Sequence, residues 1–222
     1  MKHERKALLI GATGLIGSFL EKEILGNSNY STLTTLVRNA TNHVHPKLNE
    51  VIVSFDNLSN YKEFFHVDDL FIALGTTRKK AGSKANFVKV DLEYVLIAAQ
   101  LAKISGVKRV AIVSAIGADS NSLFFYNQVK GNMEAAVSEL EIPSTYFFRP
   151  SLLLGPRNEF RFGEKMGEGM ARFMNPLLRG KWKKYQAVHG EDVAKSMVKF
   201  LKDARNGRHV VESDLIKQIG AL

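Results

Sequence analysis

Cysteine is absent from the 222 residues, which excludes disulfides, thiolate metal ligands and cysteine nucleophiles. Histidine is scarce as well; the only close pair, His43 and His45, has no further ligand at metal-site spacing, so no metal centre is expected. No apolar run approaches the roughly 18 residues of a membrane-spanning helix, and no charged-then-apolar leader precedes Gly11. From these two absences the expectation is a cytoplasmic protein without a membrane span. Acidic residues are outnumbered, 22 against 31 Lys and Arg, leaving a formal charge of +9. Such a balance favours anionic partners, yet no nucleic-acid motif accompanies it and none is expected to bind.

What is present is apolar periodicity. At 45% hydrophobic residues the chain can bury one substantial core, and a single domain over residues 1–222 is expected. Short apolar, β-branched runs at Lys6–Ile10, Thr32–Val37, Val51–Ser54, Asp69–Leu74, Arg109–Val113 and Thr145–Phe148 read as strands. Helical patterns at Leu15–Leu25, Asn86–Ser105 and Phe124–Leu140 come between them. This alternation implies an α/β protein with a doubly wound, mainly parallel sheet of the Rossmann type. After Pro150 the regularity weakens, and only Lys184–Val188, Glu191–Leu201 and His209–Val211 stand out. Residues 151–222 are expected to form a small C-terminal cap that shapes a substrate pocket.

The first strand runs into Gly11-Ala-Thr13-Gly14-Leu15-Ile16-Gly17 and then a helix. Gly11 permits the tight turn, Gly14 admits a pyrophosphate close to the backbone, and Gly17 lets helix and strand pack closely. These residues, with Thr13, Leu15 and Ile16, are the expected dinucleotide cradle. At the end of the second strand stands Arg38, where an NAD-selecting site often carries an acid for the ribose 2′-hydroxyl. A guanidinium there suits a 2′-phosphate, which favours NADPH over NADH; an ordinary solvated arginine is the alternative. Ser114 closes the fifth strand, and Tyr126 and Lys130 lie four apart on one helix face. The same three residues also suit a strand cap, a packed ring and a solvated charge.

The glycine turn, Leu74-Gly-Thr-Thr-Arg-Lys-Lys-Ala-Gly-Ser83, Phe87-Val-Lys-Val-Asp91, the Ser114/Tyr126/Lys130 set and Phe148-Arg-Pro-Ser-Leu-Leu-Leu-Gly-Pro-Arg157 together resemble the atypical short-chain dehydrogenase/reductase superfamily. Within it they are similar to the Tat-interacting-protein-like NADPH-binding group. The resemblance implies that Tyr126 exchanges a proton with a carbonyl or alcohol oxygen. Lys130 would tune that phenol and hold the nicotinamide ribose, and Ser114 would orient the reacting oxygen. By family position Asp56 would contact the adenine, and Gly75 and Thr76 the ribose and nicotinamide side. Asp91 receives no proton-relay role. The implied partner is a small-molecule substrate, of anionic character if the basic loop Arg78-Lys79-Lys80 or the basic excess of residues 157–184 takes part. Pairing through sheet-flanking helices would make a homodimer.

Two functions follow from this reading. One is an NADPH-dependent oxidoreductase acting on a carbonyl/alcohol pair; the other is an NADPH-binding regulator or chaperone-like protein without substantial turnover. Sugar-nucleotide epimerisation is disfavoured, because Ser151–Leu222 leaves little chain for so large a substrate. Phe162, Met166, Met170, Phe173 and Leu177 share a helical stripe that suits core packing or a lid. Trp182 is a lone aromatic, and His189 suits a structural role.

Overall fold

The computed structural model describes residues 4–155, 183 and 185–221. The Phe162-to-Leu177 stripe, Trp182 and most of the basic stretch after Arg157 lie outside the described residues.

Nine strands are described: β1 (Arg5–Ile10), β2 (Tyr30–Val37), β3 (Leu48–Ile52), β4 (Asp69–Ile72), β5 (Arg109–Val113), β6 (Ser144–Arg149), β7 (Leu153–Leu154), β8 (Val188–His189) and β9 (Gly207–Glu212). Seven of them form one parallel sheet in the order β3-β2-β1-β4-β5-β6-β9. Strands covered on both faces lose the polar alternation of a half-exposed sheet, and β4 reads Asp-Leu-Phe-Ile with all four residues buried. The helices are α1 (Leu15–Leu25), α2 (Arg78–Ala81), α3 (Lys84–Val88), α4 (Tyr94–Ile104), α5 (Phe125–Ser138), α6 (Gly190–Lys202) and α7 (Ser213–Gly220).

Alternation along the strands sends Leu9, Phe71 and Phe148 to one face, where they meet Leu20 and Ile24 of α1 and Met197 and Leu201 of α6. Leu8, Ile72, Ile112 and Phe147 point the other way, onto Ala98 and Ala102 of α4 and Met133 and Val137 of α5. Each large side chain fully buried in this way contributes about 1.5–3 kcal/mol. The expected doubly wound sheet is therefore present, and its carboxyl edge gathers the ends of β1, β2, β4 and β5.

Three details depart from the sequence reading. The helix expected over Asn86–Ser105 is α3 and α4 joined by a π turn, Lys89–Glu93. Phe87, Asp91 and Val95 are all buried at a spacing of four, which overshoots 3.6 residues per turn; the wider turn keeps them on one side. A 3₁₀ segment at Phe55–Phe65, unforeseen because its sequence is mostly polar, buries Phe55, Leu58 and Phe65 beneath α4. The end of the chain also does more than cover strand ends: β9 extends the sheet beside β6, and α6 packs in the same apolar layer as α1.

At the opposite, amino edge, Asp69 is fully buried and accepts hydrogen bonds from the Tyr30 hydroxyl at 2.7 Å, from Arg5 Nη1 at 3.4 Å and from Arg109 Nε. Arg5 Nη1 also donates to the Leu201 carbonyl at 2.9 Å, joining the first strand to the end of α6. Burial first, then the charge and hydrogen bond of Asp69, hold the Tyr30 phenol far above its ordinary range. Removing the carboxylate would take the buried counter-charge from two guanidinium groups and the acceptor from a phenol. Asp69→Ala is expected to cost about 3 kcal/mol in urea unfolding, against about 1 kcal/mol for Tyr30→Phe.

Candidate functional site

The turn after β1 is built from backbone. Gly11 has φ +94°, in the left-handed region, and a Cβ there would lie 2.6 Å from the Ala73 carbonyl oxygen. A Cβ on Gly17 would overlap the carbonyl oxygen of Gly11, so the helix can approach the strand end only without a side chain. Gly14 donates its N–H to the Gly11 carbonyl at 3.1 Å and stands at the N-cap of α1. No side chain caps this helix, and its first turn holds no acid. The N–H groups of Leu15, Ile16 and Gly17 thus have no partner inside the helix, and the positive end of its dipole opens beside exposed Thr13 and Gly14. This is a ready anion cradle.

The next strand ends bring further residues to the same edge. Arg38 is exposed just beyond β2, whose Leu36 is in register with Ile10 of β1, and it has no ion-pair partner among the described residues. Asp56, beyond β3, is also exposed. Its Oδ1 accepts from the Tyr94 hydroxyl and pairs with Lys89 Nζ at 2.6 Å. That hydrogen bond from Lys89, followed by the one from Tyr94, holds the Asp56 carboxyl below its ordinary range. Gly75 and Thr76 follow β4, and the Thr76 N–H donates to Asp91 Oδ2 at 2.9 Å.

On α5, Tyr126, Lys130 and Glu134 recur every four residues and so share a face. Lys130 is 2% exposed and Asp91 1%; their Nζ and Oδ1 atoms are 2.8 Å apart. Lys130 Nζ also donates to the Val113 carbonyl at 3.4 Å. Burial alone would lower the proton affinity of this amine. The charge of Asp91, with smaller contributions from Tyr126 and Glu134, outweighs it and holds the ammonium above the ordinary lysine range.

Ser114, at the end of β5, donates its hydroxyl proton to Glu134 Oε1 at 2.6 Å. Glu134 in turn receives a two-pronged bond from Arg149, at 2.9 Å from Nε and 2.7 Å from Nη2. The Tyr126 ring packs 5.7 Å from that of Phe87 and is partly exposed, and among the described residues its hydroxyl has no hydrogen-bond partner.

The structure therefore joins Lys130 with Asp91 and Thr76, and Ser114 with Glu134 and Arg149. It does not join Ser114 to Tyr126: the serine hydroxyl is turned to Glu134, about 12 Å of helix rise beyond the tyrosine. Sequence reasoning assigned no role to Asp91, Glu134 or Arg149. The four-residue ladder on α5 was a signal for Glu134; for Asp91 there was none, since its burial depends on the π turn. Elsewhere, His43 Nδ1 lies 2.7 Å from Glu21 Oε1, and His189 is an exposed N-cap residue of α6. Among the described residues no cluster could hold a metal ion, and no helix is long and apolar enough to cross a membrane.

Known proteins resemble this chain. The family described as NAD(P)H-binding matches residues 11–204. Protein HTATIP2 of Rattus norvegicus is 37% identical over 221 residues, covering 97% of this chain and 89% of that protein. Protein FMP52, mitochondrial, of Eremothecium gossypii is 32% identical over 220 residues, covering 96% and 97%. Among solved structures, MoeE5 in complex with UDP-glucose and NAD superposes with a TM-score of 0.71 at 17% identity, over 97% of this chain and 81% of that one; this likeness is one of fold.

The cytoplasmic expectation is corrected by these relatives, since FMP52 proteins from three fungi are named mitochondrial.

Gly17→Ala tests the cradle. The forced separation of α1 from the β1 turn should cost about 1–3 kcal/mol, read as a lowered thermal midpoint.

Proposed function

Because this chain belongs to the NAD(P)H-binding family of atypical short-chain dehydrogenases/reductases, with HTATIP2 among its relatives, we propose that it binds NADPH and works as an oxidoreductase on a carbonyl/alcohol pair. The observation that carries this reading is the uncapped, acid-free N-terminus of α1 on its glycine turn, with Arg38 exposed at the neighbouring strand end. The residues present fit the cofactor: the first turn of α1 is uncapped and free of acids, and Gly17 lets it sit tightly on the glycine turn. The amides of the Gly11, Thr13, Gly14, Leu15, Ile16 and Gly17 segment would hold the pyrophosphate, Arg38 the 2′-phosphate, Asp56 the adenine end, and Gly75, Thr76 and Lys130 the nicotinamide riboside end. When bound, the cofactor supplies or takes up the hydride.

The chain supplies the proton. Tyr126 has the one chemically suitable hydroxyl left without a partner among the site residues, and it is open to a substrate oxygen. Lys130 is fixed one helical turn below it. Ser114, whose own proton is held by Glu134, would orient the reacting oxygen only after exchanging that bond for one to the substrate. The substrate is a small molecule, and the exposed Arg78 and Lys79 of α2 beside the Gly75–Thr76 loop favour one that carries negative charge.

A second reading, an NADPH-responsive regulator without substantial turnover, is favoured by one specific feature. Both polar partners of the chemistry are already engaged, Lys130 by Asp91 and Ser114 by Glu134. Tight NADPH binding with no oxidation of the cofactor across a broad carbonyl panel, together with partner binding that changes with NADPH, would decide for it.

Two variants test the leading reading. Arg38→Ala should weaken NADPH roughly 10- to 100-fold, the loss of a charged hydrogen bond, and leave NADH unchanged; fluorescence titration with both cofactors measures it. Tyr126→Phe should lower turnover of an identified substrate at least about 100-fold while NADPH affinity stays within a factor of two or so. A phenylalanine enzyme with full turnover would remove Tyr126 from the mechanism.

A further inference from the structure

We propose that Asp91 is the positioning residue of this site: it fixes the Lys130 ammonium with one oxygen and the Thr76 amide with the other, and its charge offsets the one that the lysine presents to Tyr126. The proposal rests on the oxidoreductase reading for its consequence, but its geometry is independent of that reading. A lone ammonium near a phenol acts on it as a single charge. An ammonium with a carboxylate 2.8 Å away acts as a dipole, whose field falls off faster and whose pull on the phenol is correspondingly small. The pair is shielded from water on both sides, at 2% and 1% exposure, so solvent does not weaken this compensation.

The surroundings of Tyr126 add little of either sign. Lys130 and, two turns along, Glu134 share its helix face; Glu134 is itself neutralised by Arg149. From the π turn comes Asp91, and from α3 comes Lys84, whose ammonium lies over the ring of Phe125, 5.3 Å from its centroid. Phe87 separates the tyrosine ring from the rest of that helix. The charge balance at Tyr126 thus turns on the Lys130–Asp91 pair.

The pair is also the joint between two parts of the cleft. Asp91 Oδ2 receives the Thr76 N–H, so the loop after β4 and the working face of α5 are held by one carboxylate. Asp91 lies within the π turn Lys89–Glu93 and is its buried residue.

The test uses nitration of the full-length protein by tetranitromethane, a reagent that attacks the phenolate, and the absence of cysteine removes its main competing target. Peptide mass spectrometry gives the rate at Tyr126 relative to Tyr185, which is comparably exposed, at 41% and 46%. Asp91→Asn, which uncovers the lysine charge, should raise the ratio about tenfold, the equivalent of one unit in proton affinity. Asp91→Asn/Lys130→Met removes both charges and strands neither, so it folds even if the single variant does not. Its ratio should stay within about threefold of wild type.

An Asp91→Asn ratio equal to or below wild type, or a double variant differing from wild type tenfold or more, would overturn the proposal. A merely structural aspartate would lower stability without producing this order of rates. NADPH titration of the wild-type protein is run alongside: absence of binding there would defeat the oxidoreductase reading and leave the nitration order untouched.

Discussion

A lysine ammonium taken out of water needs a counter-charge, because burial without one costs several kcal/mol. At Lys130 that requirement organises the carboxyl edge of the sheet. The counter-charge comes from Asp91, which reaches inward because the helix carrying it widens into a π turn. The other oxygen of Asp91 then collects the Thr76 amide, and the loop after β4 is fastened to α5. A second buried pair, Glu134 with Arg149, repeats the solution one turn further along α5 and draws in Ser114. The amino edge uses a third, in which Asp69 serves two guanidinium groups and a phenol. Between these polar layers two apolar layers pack on the faces of the sheet.

The two edges differ in what they leave unfinished. At the amino edge every partner of Asp69 is engaged. At the carboxyl edge the α1 N–H groups, Arg38 and the Tyr126 hydroxyl remain open among the described residues, and these are donors or cations directed at one side of the molecule. An anionic, elongated ligand lying across strand ends is what such an edge accommodates. At this edge Gly11 has φ +94°, where the chain must reverse within the reach of Ala73.

Much of this was legible before any coordinates. Short buried strands such as Leu8–Ile10 and Arg109–Val113 announce themselves by β-branched, apolar runs between turn residues, and the glycine spacing marks where helix and strand must touch. The ladder of Tyr126, Lys130 and Glu134 follows from helical geometry alone. What stayed hidden depends on tertiary context. Asp91 receives no proton-relay role from sequence, and its burial against Lys130 comes with the π turn. The polar Phe55–Phe65 segment has no periodicity by which to recognise its 3₁₀ turns, and the orientation of Ser114 is set by a glutamate twenty residues on. The placement of β9 beside β6 is equally invisible locally, since the pairing of Ser144 with Gly207 joins residues far apart in the chain.

The bond from Arg5 to the Leu201 carbonyl spans 196 residues, and it bears on the order in which this molecule is made. Synthesis proceeds from the amino end, so Arg5 and its strand leave the ribosome long before α6 exists. During that interval the inner face of α1 lacks Met197 and Leu201, and the strand next to β6 is still unmade. Contacts of such long separation form late, and a chain waiting for them displays apolar surface that other chains can capture. The strand beside β6 and the helix beside α1 are therefore made well after the elements they complete, and the sheet closes through a late, long-range contact.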